Sequence, residues 1–154
     1  MKTTGLSLLL GALLMAGCQR HAEKAGVALT LLRQSSQCGV RTAQIRLLGS
    51  MEAIHRLTGL RTVLNAKTPV LEVDFATQAV VLLAMGEQPS VGYRIELEFD
   101  GVEKRGTSLW LPVRFDTPSG MAATVITSPC VVFSVPRQGL KRIVAGDTGL
   151  SVDL

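Results

Sequence analysis

The sequence predicts an α+β domain, mainly antiparallel β, two-layered and sandwich-like, with one short helix near residues 50–58. Three observations predict it. Apolar and polar residues alternate along several short segments, the spacing of strands with one buried face. Turn-forming Gly and Pro residues separate these segments at short intervals. Only one stretch combines helical spacing with end signals. The chain has 154 residues, 47% hydrophobic and 18% charged, which fits one domain without room for a second. No internal repeat divides it.

The first element in order is an export signal. Lys2 gives a positive start, residues 6–14 form a compact apolar run, and Ala16 and Gly17 precede Cys18. The run is shorter than the ~20 residues of a bilayer-spanning helix, and no later segment supplies one, which argues against an integral membrane protein. Small residues before a cleavage point mark a secretory signal. The order Leu14-Met15-Ala16-Gly17-Cys18 resembles the lipobox of bacterial lipoproteins, with Met15 in place of the usual leucine. That resemblance implies removal of residues 1–17 and acylation of Cys18. Each buried lipid methylene contributes about 0.8 kcal/mol, so several acyl chains hold a protein to a membrane permanently. Gln19 after the cysteine implies the outer membrane, facing the periplasm, by the same resemblance. Residues 18–26, including His21, read as a polar tether to a globular domain spanning residues 27–154. The formal charge is +4, falling slightly when Lys2 is removed, and without a clustered basic patch there is no electrostatic case for nucleic acid.

Within the domain, residues 27–32 and 40–48 are candidate strands. Ser50 can cap a helix whose first turn holds Glu52 and which Gly59 can end. Met51, Ile54 and Leu57 share one face of that helix, and His55 lies off it. Residues 70–75 lead into the unbroken apolar run 79–85, short enough for a strand buried on both faces. A turn over 86–92 follows. Tyr93, Ile95, Leu97 and Phe99 then alternate with Arg94, Glu96 and Glu98 to make a half-buried strand. Asp100-Gly101 starts a turn. Leu109, Leu111, Val113 and Phe115 alternate with Trp110 and Arg114, and Pro112 places an edge or bulge in that run. Residues 117–120 form a turn, and 122–127, 130–135 and 140–145 are strands, the third being the last.

With Cys18 assigned to lipid, Cys38 and Cys130 form an even pair in an exported chain, most simply a disulfide. Two buried thiols or a redox pair are the rival readings. The absence of a Cys-x-x-Cys motif disfavours the redox pair.

Candidate chemistry is sparse. His55 is the one histidine inside the domain, and no nucleophile-elbow pattern accompanies it. The carboxylates Asp74, Glu87, Asp100 and Asp116 are scattered, without metal-ligand spacing. No phosphate-binding glycine loop occurs. The expectation is therefore a non-enzyme with no cofactor and no metal. The best contact candidate is the turn and its exit: Gly86, Pro89 and Gly92 shape a tight loop, and Gln88, Ser90, Tyr93 and Arg94 offer groups to a partner.

Val73-Asp74-Phe75, the apolar strand closing at Gly86, Gln88-Pro89-Ser90-Val91-Gly92-Tyr93-Arg94-Ile95, and Ser128-Pro129-Cys130 leading to Val135-Pro136 resemble the C-terminal domain of the protease complex subunit PrcB. The similarity runs over about residues 70–135, and its most specific element is Gly-Tyr-x-Ile after the Gly-x-x-Pro turn. It implies a non-catalytic role, binding and stabilising a protein partner such as a protease. Pro89-Ser-Val-Gly-Tyr93 is also similar to a loop of chagasin-like cysteine-protease inhibitors, with Ser90 and Val91 replacing two threonines. That second resemblance implies a loop-inserting inhibitor as the alternative.

Overall fold

The computed structural model of the protein describes residues 27–57 and 73–154. The expected signal, Cys18, the tether with His21, the Gly59 helix stop and Val70 lie outside these residues.

A four-stranded antiparallel sheet forms the centre. It contains β1 (Thr30–Ser35), β2 (Thr42–Leu48), β3 (Gln78–Gly86) and β8 (Cys130–Pro136), in the order β1-β8-β3-β2. Both faces of its central strands are buried: Val80 to Ala84 of β3 and Val132 and Phe133 of β8 are 0% exposed. That explains why residues 79–85 read as a continuous apolar run, and why β8 is apolar but for the buried Ser134, although the sheet is antiparallel; alternation appears only when one face meets water.

One face carries Ala79, Val81, Leu83, Val131, Phe133 and Val135 into the larger core cluster. A second four-stranded sheet packs against this face. Its strands are β5 (Glu103–Arg105), β6 (Ser108–Leu111), β9 (Arg142–Ala145) and β10 (Leu150–Asp153), in the order β10-β9-β6-β5. A two-stranded sheet of β4 (Arg94–Leu97) and β7 (Val113–Asp116) joins the same core through Ile95, Leu97, Val113 and Phe115. The opposite face carries Val80, Leu82, Ala84, Cys130 and Val132 into a smaller cluster with Ile54 and Leu57. Those two belong to the short helix α1 (Met51–His55) and the residues just after it. Ser50 caps α1 as expected, its hydroxyl accepting from Ala53 N–H at 3.2 Å. The Met51, Ile54 and Leu57 stripe faces the core, and His55 is exposed.

Among the described strands the pairing is antiparallel except between β6 and β9, which run parallel; the isolated bridge between Gln37 and Ser128 is also parallel. Several expected elements change. The first strand starts at Thr30 rather than residue 27, with Val27 and Leu29 packed beside the core. The alternating segment from Tyr93 ends at Leu97, and Phe99–Gly101 forms a 3₁₀ turn. Pro112 divides the run 109–115 into β6, paired with β5 and β9, and β7, paired with β4. The missing proline N–H thus falls where the chain leaves one sheet for another. The expected strand over 122–127 does not form: residues 122–126 are in no strand, and only Thr127, with Ser128 beyond it, makes an isolated bridge. The strand at 142–145 is followed by β10, so it is not the last. Cys38 and Cys130 are joined by a disulfide, with Cα atoms 6.0 Å apart, and both are buried.

Candidate partner-binding surface

The turn after β3 sits at one end of the central sheet, and backbone geometry fixes its start. Gly86 pairs with Thr42 across β2 and has φ +82°, and a Cβ there would lie 2.8 Å from Ala43 N. Only glycine meets both conditions without strain. The next residue, Glu87, donates its N–H to Arg41 C=O at 3.0 Å.

Beyond this point the turn is laced to a second loop, residues 117–129. Gln88 and Thr127 exchange backbone hydrogen bonds of 2.7 and 3.0 Å. The Thr127 hydroxyl donates to Ser90 C=O at 3.0 Å, and Val91 N–H to Ala123 C=O at 3.2 Å. Gly92, at φ +96°, leaves room for Pro118, whose Cβ would stand 2.8 Å from any Cβ placed at position 92. The second loop is anchored in turn to the segment after β1. Ser128 N–H donates to Ser36 C=O at 2.8 Å, Cys38 N–H to Ser128 C=O at 3.0 Å, and Gly39 N–H to the Ser128 hydroxyl at 2.7 Å. The Cys38–Cys130 bond closes the same base. Thr127 and Ser128, the buried polar residues at this end, are therefore fully engaged, as burial demands of polar groups.

The candidate residues take distinct places. Gly86 is buried, Pro89 and Gly92 are exposed, and Gln88 and Ser90 are half-buried. The Gln88 amide donates back to Met85 C=O at 3.1 Å. Tyr93 is half-buried, packs against the larger core, and lines a cavity of about 210 Å³ with Gln34, Ser35, Arg94 and Pro129. Arg94 is exposed, yet its guanidinium is held by Asp116 at 3.2 Å and Glu96 at 3.0 Å.

Exposed apolar side chains complete the surface, and sequence reasoning did not single them out as contacts. Val91 is 39%, Val125 51%, Ile126 68% and Met121 fully exposed. One signal was available: residues 117–128 contain no charged side chain, unusual for a loop in water. The β-branched residues there favour a strand assignment instead.

Elsewhere, Glu96 and Arg114 form a further pair, and Arg114 donates to Asp116 at 2.7 Å. The Arg114 hydrogen bond is the main reason the Asp116 carboxyl titrates below the usual carboxylate range. A second cavity of about 210 Å³ is bordered by Glu96, Glu98, Trp110, Arg114 and Asp147. Among the described residues no three His, Cys, Asp or Glu side chains are grouped to hold a metal ion, and no described helix is long and apolar enough to cross a membrane.

Residues 79–136 match the family model described as PrcB C-terminal. Over this stretch the chain is similar to a PrcB C-terminal domain. It begins inside β3 and ends with β8, so it includes both laced loops and all four exposed apolar residues, while Val73-Asp74-Phe75, Cys38, α1, β9 and β10 lie outside it. No curated protein and no solved structure matches the chain.

Proposed function

We propose that the chain is a non-catalytic, lipid-anchored envelope protein that binds and stabilises a protein partner, a protease in particular, through the surface built by residues 86–94 and 117–128. The observation that carries this reading is the coincidence of two facts. The PrcB C-terminal-like stretch contains the laced loops, and those loops expose Val91, Met121, Val125 and Ile126. Apolar side chains grouped on a rigid support are what a binding surface offers. The name PrcB, as a protease complex subunit, suggests the class of partner.

The anchored placement rests on the Ala16-Gly17-Cys18 ending of the apolar leader. Residues 18–26 then act as the tether, and residues 27–154 form one sandwich-like unit whose two main sheets share a core. The outer membrane, facing the periplasm, is the proposed location. Loss of palmitate labelling and of membrane association in Cys18→Ser tests the anchor.

Capture from envelope extract tests the binding. The protein should recover a protease-containing partner, and Met121→Ser with Ile126→Ser should reduce recovery at least tenfold without lowering the unfolding midpoint. Unchanged recovery would remove this surface from the reading. Tyr93→Ala asks separately whether the cavity beside the loops contributes. Arg94→Ala is a poorer probe, because it also breaks two ion pairs within the chain.

A further inference from the structure

We propose that the outer edge of residues 122–126 receives an extended, uncharged segment of the protein partner, which adds to it as a β-strand; this rests on the partner-binding reading above and specifies its chemistry. Residues 122–126 form no strand and Thr124 is the centre of a γ-turn, but such a turn keeps the alternation of an extended chain, in which successive residues turn their backbone groups to opposite sides. On one side of this segment, Thr127 pairs with Gln88 and Ala123 C=O accepts from Val91 N–H. On the other side, Ser128 pairs with Ser36 and Cys38, and Ile126 C=O accepts from the Gln37 amide at 3.2 Å. Beyond Ile126 that second side is open: among the described residues, the N–H groups of Ala122, Thr124 and Ile126 have no acceptor, and the C=O groups of Ala122 and Thr124 have no donor. A partial ladder therefore ends in an unpaired edge whose sequence, Ala122-Ala-Thr-Val-Ile126, is suited to a strand.

The chemistry of the occupant follows from the surroundings. Residues 117–128 carry no charge, so a charged segment would lose hydration there without an ion pair in return. A bilayer is disfavoured because binding to anionic lipid draws on Lys and Arg, and the segment has neither. A second copy is disfavoured by size, since stable interfaces bury about 1,200–2,000 Å² and four exposed apolar side chains form too small a patch. An added strand draws its affinity from main-chain hydrogen bonds and needs only a few side-chain contacts, which Val125, Ile126 and Met121 supply.

The test uses a fluorescein-labelled Thr-Val-Thr-Val-Thr-Val peptide with blocked termini, titrated with the purified chain and followed by fluorescence anisotropy. Saturable binding is expected. It should weaken at least tenfold when alternate peptide amides are N-methylated, in Thr124→Pro, and in Ile126→Asp. Val125 N–H bonds to Ala123 C=O at 2.9 Å, a γ-turn centred on Thr124 whose usual φ of about −75° suits proline, so Thr124→Pro should keep its unfolding midpoint. If the midpoint falls, Ile126→Asp and the methylated peptide carry the test. No binding, or equal binding of the methylated peptide, would overturn the proposal. So would self-association abolished by these variants, which assigns the edge to a second copy. Peptide binding that persists while envelope capture recovers nothing would instead overturn the partner reading and leave the edge chemistry standing.

Discussion

Gly92 lets the two loops of the candidate surface approach closely at Pro118. Its φ of +96° is left-handed, and a Cβ at position 92 would lie 2.8 Å from Pro118 Cβ. Gly106 is a control of the same kind, with φ +64° and nothing within 4 Å of an added Cβ. Gly106→Ala should therefore lose only the backbone term, about 1–2 kcal/mol. Gly92→Ala should lose that and displace Pro118 as well, reaching about 2–5 kcal/mol once an overpacking cost of about 1–3 kcal/mol is included. It should also weaken partner capture. Urea unfolding of the two variants checks this, and equal losses would show that the Pro118 contact carries no weight. Tyr93 acts differently, since packing against the core makes it a support for the surface as much as part of it.

At the scale of the element, the two-stranded sheet β4–β7 carries a charge cluster that makes its stability depend on pH. Two strands alone are marginal in water, and this pair relies on burying one face while Arg94, Glu96, Arg114 and Asp116 form opposite-charge cross-strand pairs on the other. Arg114 holds the Asp116 carboxyl below its ordinary range. Its contribution to stability is thus complete above the unfolded value of about 3.9 and is lost as pH falls through the lower folded value. Amide protection factors in 94–97 and 113–116 should drop between about pH 4 and pH 2 while those of β3 and β8 hold, and Asp116→Asn should flatten that dependence. Protection that falls equally in both regions would contradict it. The same elements show what was legible in the sequence. The run in β3 announced itself because burial on both faces leaves no polar residue between Ala79 and Met85, β8 carries only one, the buried Ser134, and Ser50 announced α1 because its cap is local. β5 is Glu-Lys-Arg, exposed at all three residues; its register comes from β6, with Arg105 stacked 4.5 Å from the Trp110 ring, which no local pattern encodes. β10 has four residues with only Leu150 and Val152 alternating, too short a period to detect. At the candidate surface, Gly86, Pro89 and Gly92 were legible as turn formers. The partner loop at 117–128 was not, because its exposure depends on how Gln88 and Ser36 hold its base.

At the scale of the whole molecule, one covalent crosslink ties the described residues together. The disulfide spans a sequence separation of 92, linking the segment after β1 to the start of β8, and the chain entropy removed by closing so long a loop corresponds to about 4–5 kcal/mol. Its position matters as much as its size, because Cys38 and Cys130 adjoin Ser128 and Pro129 at the base of the second loop, whereas β9 and β10 pack far along the chain in the other sheet. Replacing both cysteines by serine should lower stability by about 2–5 kcal/mol in urea. It should also accelerate amide exchange at residues 127–130 and 36–39 more than at 142–145 and 150–153. Partner capture should fall further than the lost stability alone explains, since the folded fraction that remains would present a loosened loop. Uniform acceleration throughout the domain, with capture proportional to folded protein, would mean that the crosslink only restrains the unfolded chain and has no part in shaping the surface.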